Sequence, residues 1–113
     1  MKTKIISISD VIELAGAGDY TFEVPLPRSQ NYYRVTFFSF VSNVATLSTV
    51  ALYVVRGTTE YPLCIFTDLS GKRSGQIYFE GYVIPDASLL IIVSTTGSCS
   101  LTYTIQGQQL IES

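Results

Sequence analysis

Residues 76–107 read QIYFEGYVIPDASLLIIVSTTGSCSLTYTIQG, and this stretch decides the fold. Pro85-Asp86 and Thr95-Thr96-Gly97 divide it into three apolar segments. In the first, Ile77, Phe79 and Val83 fall on one face, and Tyr78, Glu80 and Tyr82 on the other. Gly81 in its middle marks a bulge or a close approach by another backbone. Residues 89–93, Leu-Leu-Ile-Ile-Val, are apolar on both faces, the signature of a central strand. In the third, Cys99, Leu101, Tyr103 and Ile105 alternate with Ser98, Ser100, Thr102, Thr104 and Gln106, the pattern of a half-exposed strand. Three successive antiparallel strands follow.

The same alternation extends towards the N-terminus. Residues 47–56 form a strand with Val50, Leu52 and Val54 on one face. Residues 61–67 form a short one whose Pro62 places it at a sheet edge. In the aromatic run 32–41, strict alternation puts Tyr33, Val35, Phe37 and Val41 together, opposite Tyr32, Arg34, Thr36, Phe38 and Phe40. Tyr20, Phe22 and Val24 alternate with Thr21 and Glu23 before Pro25 and Pro27. A polar loop carrying Arg28 follows. Residues 3–9 read as a strand. Residues 11–14 fit either a short strand or a helical turn capped by Asp10. Residues 108–113 read as a tail, with Leu110 and Ile111 available to dock. About eight short strands with turn signals every 8–12 residues or so point to an all-β, single antiparallel sandwich rather than a βαβ fold. The chain has 113 residues, which suits one domain, 1–113, with residues 1–16 as an N-terminal arm or the first strand.

Composition narrows the function. Hydrophobic residues make up 47% and charged residues only 14%, against a usual ~25% charged. Mean hydropathy is +0.33. Either Ser, Thr, Gln and Tyr cover the surface, or another chain does. This points to a homo-oligomer or a docked partner. The net charge is −2, and Lys72-Arg73 is the sole basic pair. The basic stripe of a nucleic-acid binder is missing. Met1-Lys2-Thr3-Lys4 is followed by Ser-broken apolar sequence rather than a secretory core, and there is no long apolar run. The expectation is synthesis in a reducing cytoplasm and no membrane. Cys64 and Cys99 sit in apolar strands, so two buried free thiols are favoured over a disulfide.

Catalytic chemistry is thin. The chain has no histidine, which removes triads, Cys-His dyads and the commonest metal ligand. Gly71-Lys72-Arg73-Ser74-Gly75 lacks the helix a phosphate cradle requires. The carboxylates Asp10, Glu13, Asp19, Glu23, Glu60, Asp68, Glu80, Asp86 and Glu112 fall mostly in turn-like sequence, where Asp serves the backbone. Glu80 lies inside a strand, where it reads as an outward residue beside Tyr78 and Tyr82, with a cross-strand pairing to Arg34 or Arg56 as the alternative. Asp86 lacks the D-x-D company of a calcium loop. A hydrolase built on Glu80 and Asp68 is therefore a distant third reading, and neither a cofactor nor a metal is expected.

Contact surfaces are better represented. Tyr32, Tyr33, Tyr61, Tyr78 and Tyr82, with Lys72 and Arg73, are the partner-interface candidates. Tyrosine-rich, charge-poor surface suits a protein interface. Carbohydrate is a weaker fit, because the chain has no tryptophan.

Gly18-Asp19-Tyr20-Thr21-Phe22-Glu23-Val24-Pro25 resembles the G-x-Y-x-F-x-V-P strand of small β-sandwich virion proteins of tailed bacteriophages. Residues 81–89, GYVIPDASL, are similar to their V-P-x-G/A-S-L turn, with Asp86-Ala87 where glycine is frequent. Residues 98–107, SCSLTYTIQG, resemble their closing strand. The resemblance covers about a third of the chain. It implies a jelly-roll or related sandwich acting without catalysis as a capsid decoration, head-fibre or tail accessory protein. Such a protein belongs to the virion and buries surface against capsid or tail subunits, as a trimer by preference. The alternative is a carbohydrate- or receptor-binding adhesin using Tyr61, Tyr78 or Tyr82 and the loop 68–75.

Overall fold

Each strand of the computed structural model turns one row of side chains toward the core, fully buried in the central strands and half-buried in the edge strand of residues 18–23. The structure describes residues 2–26 and 32–111; the expected loop residues Pro27 and Arg28, and Glu112, lie outside them. The strands are β1 (Lys2–Leu14), β2 (Gly18–Glu23), β3 (Tyr32–Ser42), β4 (Leu47–Arg56), β5 (Thr59–Phe66), β6 (Ser74–Val83), β7 (Ser88–Thr95) and β8 (Cys99–Ile111). Sheet A has the order β1-β8-β3-β6, and sheet B the order β2-β7-β4-β5. All ladders are antiparallel.

The pairs β1/β8, β2/β7, β3/β6 and β4/β5 nest inside one another. The chain thus behaves as one long hairpin, tipped by the turn at Gly57, rolled up so that β8 also meets β3 and β7 also meets β4. This is a jelly roll. Gly57 has φ 63° at the first central position of the two-residue turn between Arg56 and Thr59, where a tight hairpin needs left-handed backbone.

The inner rows meet in a single core. Sheet A supplies Val35, Phe38, Leu101 and Ile105, and sheet B supplies Val50, Leu52, Leu89, Ile91 and Val93, all fully buried. Phe40 and Phe66 pack edge to face with centroids 5.0 Å apart, bridging the sheets beside Gly75. A Cβ at Gly75 would come within 2.8 Å of the Phe40 ring. Gly81 similarly makes room for Leu63, whose Cδ2 would lie 2.9 Å from a Cβ there. Cys64 and Cys99 are buried free thiols in opposite sheets.

Two alternatives are settled and three expectations change. Residues 11–14 continue β1 without a helical turn. Asp10 is no cap; its Oδ1 accepts the Val11 N–H at 2.8 Å. Of the two readings of the N-terminal segment, the first strand holds, since β1 pairs with β8 along its whole length. The expected tail is largely strand, because Gln108, Gln109, Leu110 and Ile111 belong to β8. In β3 the register shifts between Val35 and Phe37. The extra residue, Thr36, turns Phe38 and Phe40 inward with Tyr33 and Val35 and sends Phe37 out, opposite to strict alternation. Finally, β7 is central, but only one of its apolar rows is covered; Leu90 and Ile92 remain half-buried.

Candidate functional site: two outer sheet faces

Opposed residues in a ladder share a face, so the registers map the outer face of sheet A row by row. The first row runs Ile5–Gln108–Arg34–Tyr82, and the next Ser7–Gln106–Phe37–Tyr78. Beyond them come Ser9–Thr104–Ser39–Gln76 and Val11–Thr102–Val41–Ser74. Leu110, opposite both Thr3 and Tyr32, completes the first end. One end of the face is therefore large and aromatic, and its middle is flat and hydroxylic. Tyr78 is 77% exposed although its ring meets Phe37 at 4.8 Å between centroids.

The aromatic end also holds the polar groups. The Tyr82 hydroxyl donates to Glu80 Oε1. That bond raises the phenol pKa above its ordinary value, and Arg34 opposes the shift. Arg34 Nη2 donates to Gln108 Oε1, and its Nε is buried without a hydrogen-bond partner. Glu80 thus stands beside Tyr82 as an outward residue of its strand, and in place of the alternative pairing with Glu80, Arg34 bonds to Gln108. Beside Arg34, where Thr36 bulges from β3, a cleft of about 440 Å³ is lined by Ile5, Ser7, Thr36, Gln106 and Gln108.

The outer face of sheet B differs. Its rows are Thr21–Ile92–Ala51–Ile65 and Glu23–Leu90–Tyr53–Pro62. The centre is aliphatic, with Ile65 52% exposed, and the one charge in these rows, Glu23, stands at the edge.

Of the interface candidates, Tyr32, Tyr78 and Tyr82 come together on face A. Tyr33 is buried in the core at 4% exposure and offers little surface. Tyr61 is exposed on edge strand β5 of sheet B. Lys72 and Arg73 are exposed in the β5–β6 connection. Arg73 donates to Asn43 O at 3.4 Å, at the end of β3 remote from Tyr82. Sequence reasoning missed Phe37 as a surface group because period-2 counting runs through the bulge. It missed Ile65 and Ile92 because apolar strand residues default to the core.

The carboxylates serve local structure. Glu13 accepts from Ser100 Oγ and Asp19 from Ser94 Oγ, both at 2.6 Å. Asp68 and Asp86 hold left-handed turns at φ 54° and 70°, a conformation Asp tolerates better than most residues. This explains Asp86 where glycine is frequent in the turn that 81–89 resembles. Among the described residues no group of three His, Cys, Asp or Glu side chains could hold a metal. No helix among them is long and apolar enough to cross a membrane.

No family model matches this chain, and no curated protein does either. Among solved structures, the Drosophila NLP core, described for its pentamer formation and histone binding, is similar over 99% of this chain and 100% of its own, at 10% identity and a TM-score of 0.41. A likeness that loose carries nothing about assembly or partners.

Proposed function

We propose that this protein is a non-enzymatic structural component of a tailed-phage virion, a decoration protein that clamps neighbouring capsid subunits by burying surface. The observation that carries the reading is a pair of exposed patches on opposite faces, the aromatic end of sheet A with Tyr32, Tyr78 and Tyr82 and the aliphatic centre of sheet B with Ile65. A clamp needs two contact surfaces on one rigid body. The sandwich has a tyrosine-rich face on sheet A and an aliphatic face on sheet B, with its core between them. Exposed apolar patches on a small domain mark interaction surfaces. Each Å² of apolar area covered is worth about 25 cal/mol before association costs, and a shell repeats the contact many times. The jelly roll, a fold common among viral coat domains, supports the same reading.

The test is co-sedimentation with head shells and tails of the phage that carries the gene. Wild type should pellet with shells and raise their melting temperature. Tyr78→Asp and Ile92→Asp, one per face, should each abolish the shell stabilisation. Failure to bind either assembly sinks the proposal.

A receptor-binding adhesin is the second reading. Its support is the cleft beside Arg34, where guanidinium, amide and hydroxyl groups converge as a polar ligand such as a sugar requires. Glycan binding lost in Arg34→Ala, without shell binding, would favour it.

A further inference from the structure

The four edge strands are not alike. On sheet B, β2 has six residues, and β5 carries Pro62 beside a register shift. On sheet A, β6 pairs irregularly with β3. These are the usual ways of blunting an edge against unwanted pairing. Strand β1 has none of them. It runs thirteen residues in unbroken register against β8, and it contains no proline or glycine.

We infer that β1 is the docking edge for a second copy of this chain, the two strands pairing antiparallel about a two-fold axis at Ser7 so that both A sheets join into one. The direction of the free backbone groups comes from β8. Ser9 Oγ donates to Tyr103 O at 3.0 Å, so that carbonyl faces β1, and Asp10, opposite Tyr103, faces it in return. Alternation then turns the N–H and C=O groups of Thr3, Ile5, Ser7, Ser9 and Val11 to the open edge. The Val11 N–H bears this out, since it is taken by the Asp10 carboxylate at 2.8 Å.

Charge selects the register. Lys2 and Lys4 stand at one end of β1, and Asp10 and Glu13 at the other. With Ser7 opposite Ser7 of the second copy, Ile5 meets Ser9 and Thr3 meets Val11; with each Val11 N–H held by Asp10, about eight backbone hydrogen bonds form. On the other face, Lys4 meets Asp10 twice by symmetry and Ile6 meets Ile8. These are non-hydrogen-bonded pairs, whose side chains approach most closely. Sliding each strand by one residue would set Ile6 against Asp10 and Lys4 against Ile12 in one direction; in the other it would set Lys4 against Ile8 and leave Asp10 to Lys2 at the strand's end. A parallel arrangement would set like charges together. The pairing is independent of whether the sandwich decorates a shell or binds a receptor, and it replaces the expected three-fold assembly with a two-fold one.

Sedimentation equilibrium of the full chain from 1 to 500 µM tests it. The expected species is a dimer. Lys4→Asp and Asp10→Lys should each weaken dimerisation roughly tenfold or more, and the double exchange K4D/D10K should restore it. Ser7→Pro removes an outward N–H, which an edge strand tolerates; the monomer should keep its circular dichroism and lose the dimer. A wild type that stays monomeric or forms trimers overturns the inference. So does a charge exchange that fails to restore pairing, which decides the matter even if the proline variant misfolds.

Discussion

The two sheets fill the same core from opposite sides, yet they are finished differently outside it. Their inner rows are equivalent in kind: Val35, Phe38, Leu101 and Ile105 in sheet A, and Val50, Leu52, Leu89 and Ile91 in sheet B, are all fully buried. Outside, sheet A mixes aromatic rings with Arg, Gln, Ser and Thr on long strands, whereas sheet B is short and aliphatic at its centre. Packing determines the inner rows, and any side chain that fills the space suffices. The outer rows are free of that demand, so their divergence is where the molecule records what it touches.

The largest difference to test lies in the backbone. Gly107 of β8 sits against the bulge of β3, where an added Cβ would fall 2.1 Å from Arg34 O. Backbone cannot yield as a side-chain tip can. Gly107→Ala should cost about 4 kcal/mol by urea denaturation, at the upper end of single substitutions. Gly97→Ala, whose Cβ would make an ordinary 3.4 Å contact with Thr46, is the control and should stay within about 1 kcal/mol. If Gly107→Ala behaves like the control, the tight seam assigned to sheet A does not exist.

Equivalence of the inner rows predicts a smaller, symmetrical effect. Leu52→Ala in sheet B and Leu101→Ala in sheet A should each cost about 3 kcal/mol, as buried leucines do. Losses differing by more than about 2 kcal/mol would show that one sheet, not both, carries the core.

How much of this was readable beforehand depends on where a residue's fate is decided. Strand β4 was legible in its bounds and in its inner row Val50, Leu52 and Val54, because Leu47–Arg56 lies between turn signals and alternates from Val50 onward. Residues 99–105 were legible for the same reason. The inward turn of Phe38 and Phe40 was not, because the Thr36 bulge answers the register of two neighbouring strands and leaves no local mark. The strand at 108–111 was hidden by its glutamines, which sit on β8 because sheet A outreaches sheet B there. The nesting of the hairpin pairs was invisible, since every ladder except β4/β5 joins segments far apart in the chain. Of the candidate surface, the aromatic face was half visible in Tyr32, Tyr78 and Tyr82. Tyr33 was misleading, because tyrosine at an inner position reads the same as tyrosine at an outer one.

A pH titration sharpens the comparison further. Burial pushes the Cys64 thiol of sheet B up to about 11 from an ordinary value near 9.0. The folded state thus holds this proton more tightly than the unfolded chain. The associated stability is complete below pH 9 and is lost as pH rises from 9 through 11, by about 3 kcal/mol at most. Denaturation midpoints measured from pH 8 to 11.5 should fall accordingly. In Cys64→Ala the baseline should drop while that part of the slope disappears. An unchanged slope would mean the thiol is not held in an apolar site.

The smallest expected effect carries the most functional weight. Tyr78 is 77% exposed and its main contact is the Phe37 ring. Tyr78→Ser should cost only about 0.5 kcal/mol of stability, the low end for an aromatic pair. Leu52→Ala, on the inner row, should cost several times more and leave the outer faces intact in whatever protein remains folded. If face A is a contact surface, the ranking inverts in a binding assay: Tyr78→Ser loses shell binding at nearly native stability, and Leu52→Ala retains it below its melting temperature. Should Tyr78→Ser bind as wild type does while Ile65→Ser on sheet B fails, docking belongs to the aliphatic face alone, and the aromatic end of sheet A serves the cleft at Arg34 instead.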